Sequence, residues 1–95
     1  MDSIDHIAIQ VPDINQAVKS YTDKFDCEVI YIDTTWAMLK FDNINLALVI
    51  PTEHPPHIAF IDHNVKEGVI HRDGSEAKYE DDGFGNTIEK IKYKK

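Results

Sequence analysis

The sequence predicts an α+β protein built from two related halves, and three observations favour this class. Over residues 4–50 a strand, an amphipathic helix and three further strands follow one another. The tetrapeptide His-Ile-Ala-Ile at residues 6–9 returns as His-Ile-Ala-Phe at residues 57–60, at the start of the second half. Residues 51–56 hold three of the four prolines and so mark the seam between the halves.

The helix of the first half is the most clearly marked element. Apolar residues recur from Ile14 to Phe25 at the i, i+3, i+4 and i+7 spacing of an amphipathic helix. Asp13 precedes them and Gln16 follows three residues later, which is the arrangement of an N-cap and capping box. The helix is therefore expected to begin directly after Asp13.

Strands account for most of the remaining chain. In the first half they are expected at residues 4–11, 28–33, 35–41 and 44–50, and in the second half at residues 57–61, 69–72, 77–80 and 87–93. Residues 62–68 leave room for two helical turns at most, so the second half reads as the first with its helix shortened. We expect a single domain over residues 1–95, with module one at 1–50, an extended connector at 51–56 and module two at 57–95.

Composition argues against several classes of partner. The formal charge of −7, from 17 acidic and 10 basic residues, disfavours nucleic acid or an anionic membrane surface as the main partner. Cys27 is the only cysteine, so an intrachain disulfide and a multi-cysteine zinc site are both excluded. With no signal-like or membrane-spanning segment in the sequence, we expect a cytoplasmic protein.

Three ligand-type residues lie on strands that we expect to flank one cavity: His6, His57 and Glu89. Each residue alone is more often a packed or solvated side chain than a ligand. Their corresponding places in a repeated strand pattern favour convergence. Two neutral imidazoles and one carboxylate suit a divalent ion and leave coordination positions open for substrate oxygens.

The motifs resemble those of the vicinal oxygen chelate superfamily, which contains glyoxalase I, bleomycin-resistance proteins, extradiol dioxygenases and methylmalonyl-CoA epimerase. The resemblance is carried by His-Ile-Ala-Ile-Gln-Val-Pro-Asp at residues 6–13, His-Ile-Ala-Phe at 57–60 and Asp-Gly-Phe-Gly-Asn-Thr-Ile-Glu at 82–89. It implies two βαβββ modules that form a half-open mixed-sheet barrel. It also implies that His6, His57 and Glu89 bind a divalent metal, with iron, manganese, nickel, cobalt and zinc all open.

The sequence departs from the family at two places. Glyoxalase I adds a fourth protein ligand from the last strand of module one, but here that strand, at residues 44–50, offers Ala47, Leu48 and Val49 where such a ligand would be needed. This disfavours glyoxalase-I-type chemistry and leaves a set similar to that of the extradiol dioxygenases. The shortened helix would uncover Ile58, Phe60 and Val69, and a homodimer is expected to cover them.

Further residues are candidates for the site. His71 is a candidate acid or base because its strand should border the cavity, and Tyr79 could supply a hydroxyl beside the metal. The expected substrate pocket is formed by Gln10, Trp36, Met38 and Ala59.

Three functions remain open from the sequence. The first is a small metal-dependent enzyme that acts on a small oxygenated substrate by lyase, isomerase or dioxygenase chemistry. The second is a metal-free protein that binds or sequesters a small molecule, as bleomycin-resistance proteins do, in which Trp36 and Tyr79 would matter more than the histidines. The third is an interaction module with a vestigial site, which the retention of all three ligand-type residues disfavours.

Overall fold

A computed structural model describes residues 1–71 and 74–94 of the chain. The elements of this part, in chain order, are β1 (Ile4–Gln10), α1 (Ile14–Lys24), β2 (Glu28–Ile32), β3 (Trp36–Lys40), β4 (Asn45–Val49), β5 (His57–Ile61), β6 (Val69–Ile70), β7 (Glu76–Asp81) and β8 (Thr87–Lys92). The chain divides into two compact units. We call His6–Pro56 the first unit, and Met1–Asp5 together with His57–Lys95 the second unit.

The first unit is a mixed sheet with one helix against it. Its strands lie in the order β2-β3-β4-β1, and β1 runs parallel to β4 while the other pairs are antiparallel. The helix α1 packs on one sheet face through a buried apolar cluster of Ile14, Val18, Ala37, Leu39 and Leu48. A second cluster, on the face opposite α1, contains Ala8, Met38, Ala47 and Val49. Strand alternation places His6 on this second face, with Ala8.

The helix α1 begins where its sequence predicts, directly after Asp13. Asp13 is extended, with φ −142°, and its Oδ1 accepts a hydrogen bond of 2.9 Å from the backbone N–H of Gln16, so the predicted N-cap is confirmed. At the other end the Phe25 N–H donates to the Tyr21 carbonyl. The helix has 11 residues, and among the described residues no helix has the length and apolarity needed to cross a membrane.

The turn between β2 and β3 is organised by one carboxylate. Asp33 Oδ1 accepts hydrogen bonds from the backbone N–H groups of Thr35 and Trp36, at 2.7 and 2.9 Å, and Oδ2 accepts one from the Tyr31 hydroxyl. Tyr31 also stacks on Trp36, with ring centroids 4.1 Å apart. These contacts hold the pKa of Asp33 below its usual range, with the Tyr31 hydroxyl as the main cause. They also fix the orientation of the Trp36 ring.

The connector at residues 51–56 departs from the extended conformation expected of it. The backbone N–H groups of Glu53 and His54 both donate to the Ile50 carbonyl, which makes a turn directly after β4. The His54 carbonyl then accepts a hydrogen bond from Gln10 Nε2 at 2.9 Å. Pro51 lies inside this turn, directly after Ile50, where the fixed φ of proline suits a turn, and Pro55 and Pro56 follow the turn.

The second unit repeats the parallel pair of the first without its helix. Its strands lie in the order β5-β8-β7-β6, with β5 parallel to β8 and the remaining pairs antiparallel. Ala59, Ala77 and Ile91 form its buried apolar cluster. All but one of the predicted strands match the observed ones to within one residue at each end. The exception is the strand predicted at 69–72, which ends at Ile70, while Arg72 lies outside the described residues.

Residues 62–68 form turns and no helix, so the shortening of the second module goes further than the sequence suggested. Asp62 Oδ1 accepts a hydrogen bond from the Asn64 N–H at 2.9 Å, an Asx turn that competes with a first helical turn. Glu67 has a positive φ of 60°, which an L-residue in a helix does not adopt. Val65 is nevertheless buried, and its carbonyl accepts a hydrogen bond from Lys92 Nζ at 3.2 Å.

The sheet face that the missing helix leaves uncovered is only partly apolar. Ile58 is 39% exposed and Phe60 is half-buried, as the sequence predicts. Beside them Lys90 Nζ pairs with Glu80 at 2.7 Å, so charged side chains solvate part of this face. The expectation that Val69 lies on this uncovered face was wrong. Its register partner is Ala77, so Val69 lies on the opposite face of the sheet.

Replacing the helix cap tests this account of the first unit. We expect Asp13→Ala to lower the free energy of unfolding by about 1 kcal/mol, because the Gln16 N–H loses its acceptor. Asp23→Ala is the matched control. It removes an exposed ion pair with Lys19, 3.0 Å apart, and should cost about 0.3–0.5 kcal/mol. Urea unfolding followed by Trp36 fluorescence gives both values, and equal losses in the two variants would contradict the cap assignment.

Candidate metal centre

The core of the candidate site is a buried histidine and carboxylate on two neighbouring strands of the second unit. His57 opens β5 and Glu89 lies in β8, where its register partner is Ala59, two residues beyond His57. Both are buried, with 7% and 4% of their surface exposed. His57 Nε2 lies 3.6 Å from Glu89 Oε1, beyond hydrogen-bond distance but close enough for both atoms to face a common ligand.

Strand alternation explains why these two side chains share a face. In β5 His57 and Ala59 are buried while Ile58 between them is exposed, and in β8 Glu89 and Ile91 are buried. The cluster of Ala59, Ala77 and Ile91 fills the same face one row further along. Small alanine side chains in that row leave the longer histidine and glutamate side chains room to lie over the sheet.

The turn before β8 determines the sheet face on which the Glu89 side chain lies. Asp82 Oδ1 accepts from the backbone N–H groups of Phe84 and Asn86, at 2.7 and 3.1 Å, and its Oδ2 accepts from the Asn86 amide at 2.9 Å. Gly83 and Gly85 have φ of 90° and 88°, which favours glycine at both places. The turn that resembles the family motif is therefore a tight structure that sets the register of β8.

Tyr79 contacts both side chains of this pair. It is the register partner of Glu89 across β7 and β8, and its hydroxyl donates a hydrogen bond to the Glu89 carboxylate. Its ring meets the His57 ring edge-on, with centroids 5.0 Å apart and an interplanar angle of 68°. Burial raises the pKa of the Tyr79 hydroxyl, and the charge and hydrogen bond of Glu89 raise it further. The phenol therefore stays protonated at neutral pH and can donate a hydrogen bond to the carboxylate.

His6 lies in the first unit, on the sheet face opposite α1. It is 5% exposed, although its neighbour Ile7 is 38% exposed. Its register partner in β4 is Asn45, which the sequence reasoning missed. The half-buried Asn45 side chain makes no hydrogen bond within the part of the chain that the structure describes. This neighbour follows from the parallel pairing of β1 with β4. The periodicity of the sequence within one strand does not reveal it.

Ala47, Leu48 and Val49, the positions considered for a fourth ligand, lie in β4. Ala47 and Val49 lie in the cluster on the His6 face, and Leu48 points to the helix. None of these side chains carries a donor atom. A fourth protein ligand of the glyoxalase I kind is thus absent from these three positions.

Three of the expected pocket residues lie in the first unit on the face that holds His6. Met38 is buried, Trp36 is half-buried against Tyr31, and Gln10 is exposed with its amide bonded to the His54 carbonyl. Ala59 lies in the second unit and is fully buried in its apolar cluster. Trp36 and Met38 therefore offer an apolar surface, whereas Ala59 contributes mainly to packing.

The candidate acid or base His71 is exposed and directly follows β6. Its backbone N–H donates to the Ser75 carbonyl at 2.8 Å. Within residues 1–71 and 74–94 its imidazole makes no hydrogen bond or ion pair. Its part in proton transfer stays a prediction.

The ionisable side chains that are buried in the described residues are His6, His57 and Glu89. Charged or strongly polar groups are seldom buried without a partner or a ligand, because their desolvation costs several kcal/mol. Two imidazoles and one carboxylate match the donor set of divalent first-row metals. The chemistry of these residues therefore fits a metal ion of the kind that the sequence motifs imply.

Comparison with known proteins places the chain in a family. The profile of the Glyoxalase/Bleomycin resistance protein/Dioxygenase superfamily matches residues 3–75, a range that includes His6 and His57 but ends before Glu89. No curated protein sequence matches the chain.

Solved structures share its fold. A hypothetical protein, BH1468 from Bacillus halodurans C-125, is 16% identical with a TM-score of 0.80, and the alignment covers 99% of this chain and 96% of that one. A variant of Streptomyces coelicolor methylmalonyl-CoA epimerase, in complex with 2-nitronate-propionyl-CoA, is 22% identical with a TM-score of 0.79 and 97% coverage of both chains.

A methylmalonyl-CoA epimerase in complex with methylmalonyl-CoA and NH4+ is 21% identical, with a TM-score of 0.81 and coverage of 98% of this chain and 95% of that one. These likenesses span nearly the whole chain, and they confirm the predicted fold class. Together with the match of the superfamily profile to most of the sequence, they identify the chain as a member of the Glyoxalase/Bleomycin resistance protein/Dioxygenase superfamily.

Proposed function

We propose that the protein is a small divalent-metal-dependent enzyme of the vicinal oxygen chelate type, with His6, His57 and Glu89 as the metal ligands. The observation that carries the proposal is the burial of these three side chains, and of no other ionisable side chain among the described residues. Membership of the superfamily supports it, as does the likeness in fold to methylmalonyl-CoA epimerases. The ion is iron, manganese, nickel, cobalt or zinc.

The substrate in this proposal is a small oxygenated molecule that presents two neighbouring oxygens, and the chemistry is that of a lyase, isomerase or dioxygenase. A metal in such a site supplies Lewis-acid stabilisation of the negative charge that develops on a substrate oxygen. Three protein ligands leave positions open for that oxygen, and the absence of donor atoms at Ala47 and Val49 keeps them open.

The chain's own residues would divide the remaining work. The Trp36 ring, fixed by its stack on Tyr31, offers a flat apolar wall, and Met38 adds a flexible apolar contact beside it. His71 is the candidate for moving a proton, since its imidazole is exposed and an imidazole can serve as a general acid or base. The raised pKa of Tyr79 suits it to donate a hydrogen bond and not to act as a base.

The metal assignment is tested by analysis of protein purified without chelators or a histidine tag. We expect roughly one equivalent of a first-row transition metal per chain, or its uptake on addition of Zn²⁺ or Co²⁺. His6→Ala, His57→Ala and Glu89→Ala should each weaken the affinity by more than about 100-fold, because each removes a ligand and not merely an outer partner.

His63→Ala is the matched control, since His63 is an exposed histidine in the turn after β5. Its affinity should equal that of the unchanged protein. Wild-type affinity in the His57→Ala variant would refute the ligand assignment.

The stacked Tyr31 and Trp36 rings favour a second candidate, a metal-free protein that binds or sequesters a planar compound. Under this alternative, ligands would shift Trp36 fluorescence equally with and without a chelator. The enzyme proposal expects the shift to depend on the metal.

We also propose that the chain works as a cytoplasmic homodimer, with a second copy against the sheet face that holds Ile58 and Phe60. Ile58 is 39% exposed there, and residues 62–68 provide no helix to cover it. The charged pair of Lys90 and Glu80 on the same face would form the polar rim of such an interface.

Sedimentation over a dilution series tests the assembly. We expect a dimer at micromolar concentration that Ile58→Asp converts to a monomer, because a carboxylate would be buried without a partner. Val69→Asp is a matched control, since Val69 is 68% exposed on the opposite sheet face and should leave the dimer intact. A wild-type chain that stays monomeric at high concentration would rule the dimer out.

A further inference from the structure

One residue of the second unit contacts both of its candidate ligands, and it does so with two different parts of its side chain. The Tyr79 hydroxyl donates to the Glu89 carboxylate, and the Tyr79 ring lies edge-on against the His57 ring at 5.0 Å. Tyr79 and Glu89 are direct cross-strand partners of β7 and β8, so both contacts follow from the sheet register.

These contacts restrict the two ligands in complementary ways. A carboxylate has two oxygens and about four lone-pair sites, so one hydrogen bond from a phenol orients it and leaves sites free for a cation. The ring contact limits rotation of the His57 imidazole about its side-chain bonds. Nε2 of that imidazole is already 3.6 Å from Oε1 of Glu89.

The Tyr79 hydroxyl could instead have made its hydrogen bond with solvent. Tyr79 is 41% exposed, and a tyrosine on such a strand could direct its hydroxyl to water. The other face of β7 carries the solvated charges, including Glu80 in its pair with Lys90. The phenol instead lies on the face with Glu89 and donates to it.

From this geometry we infer that Tyr79 is a positioning residue for the metal centre, which holds Glu89 by its hydroxyl and His57 by its ring. The inference rests on the proposed function, because it assumes that these two residues bind an ion. In this role Tyr79 acts by holding the two ligands in place and does not itself react with a substrate. Outer partners of this kind typically change metal affinity by about 10–100-fold.

The test is Co²⁺ and Zn²⁺ affinity in Tyr79→Phe, which keeps the ring and removes the hydroxyl. We expect the affinity to fall by about 10–100-fold. In a Glu89→Gln background the same change should have much less effect, because the amide no longer presents the carboxylate that the hydroxyl orients. Tyr31→Phe is the matched control, since Tyr31 also donates to a carboxylate, that of Asp33, and should leave affinity unchanged.

A metal-free readout separates this inference from the proposed function. In the apo protein, the NMR signals of the His57 ring protons should move in Tyr79→Leu, which removes the neighbouring ring, and stay nearly in place in Tyr79→Phe. A wild-type chain that binds neither ion would overturn the proposed function. Unchanged His57 signals in Tyr79→Leu, or full affinity in Tyr79→Phe, would overturn the positioning role.

Discussion

The burial of His6, His57 and Glu89 is the constraint on which the rest of the structure depends. Each of these side chains is at most 7% exposed, and removing such groups from water is costly unless hydrogen bonds, ion pairing or a ligand compensates. In a chain of 95 residues the apolar core is too small to carry many such costs. In the second unit the Tyr79 hydroxyl donates to the Glu89 carboxylate, and the Tyr79 ring contacts the His57 ring. These contacts offset part of the cost of burying the two side chains.

Both units bury a histidine on one sheet face, but only the first unit has a helix on the other face. Each contains a parallel strand pair that places a histidine on one sheet face, β1 with β4 in the first and β5 with β8 in the second. The first unit covers its other face with α1, whereas the described residues of the second unit form no helix there and include the pairs of Lys90 with Glu80 and of Lys92 with Glu76. A superfamily module can thus lose its helix and still bury its site residues, because site and helix lie on opposite faces of the sheet.

Much of this organisation could be predicted from the sequence, because alternation and helical spacing are local properties. Asp13 marked the start of α1, and alternation placed His6 and His57 on their correct sheet faces. The conformation of residues 62–68 was harder to predict. Their composition does not exclude a short helix, but the Asx turn at Asp62 competes with it. Tyr79 was expected beside the site, but its pairing with Glu89, like that of Asn45 with His6, depends on the register between strands, which a single sequence does not show.

The central proposal is that one metal ion binds His6, His57 and Glu89. Anomalous diffraction at the cobalt edge, from crystals grown with one equivalent of Co²⁺, measures this directly. The account predicts a single strong peak within about 2.0–2.2 Å of a nitrogen of His6, a nitrogen of His57 and an oxygen of Glu89. A peak that lacks any one of these three bonds, or cobalt bound only at surface carboxylates, would contradict it.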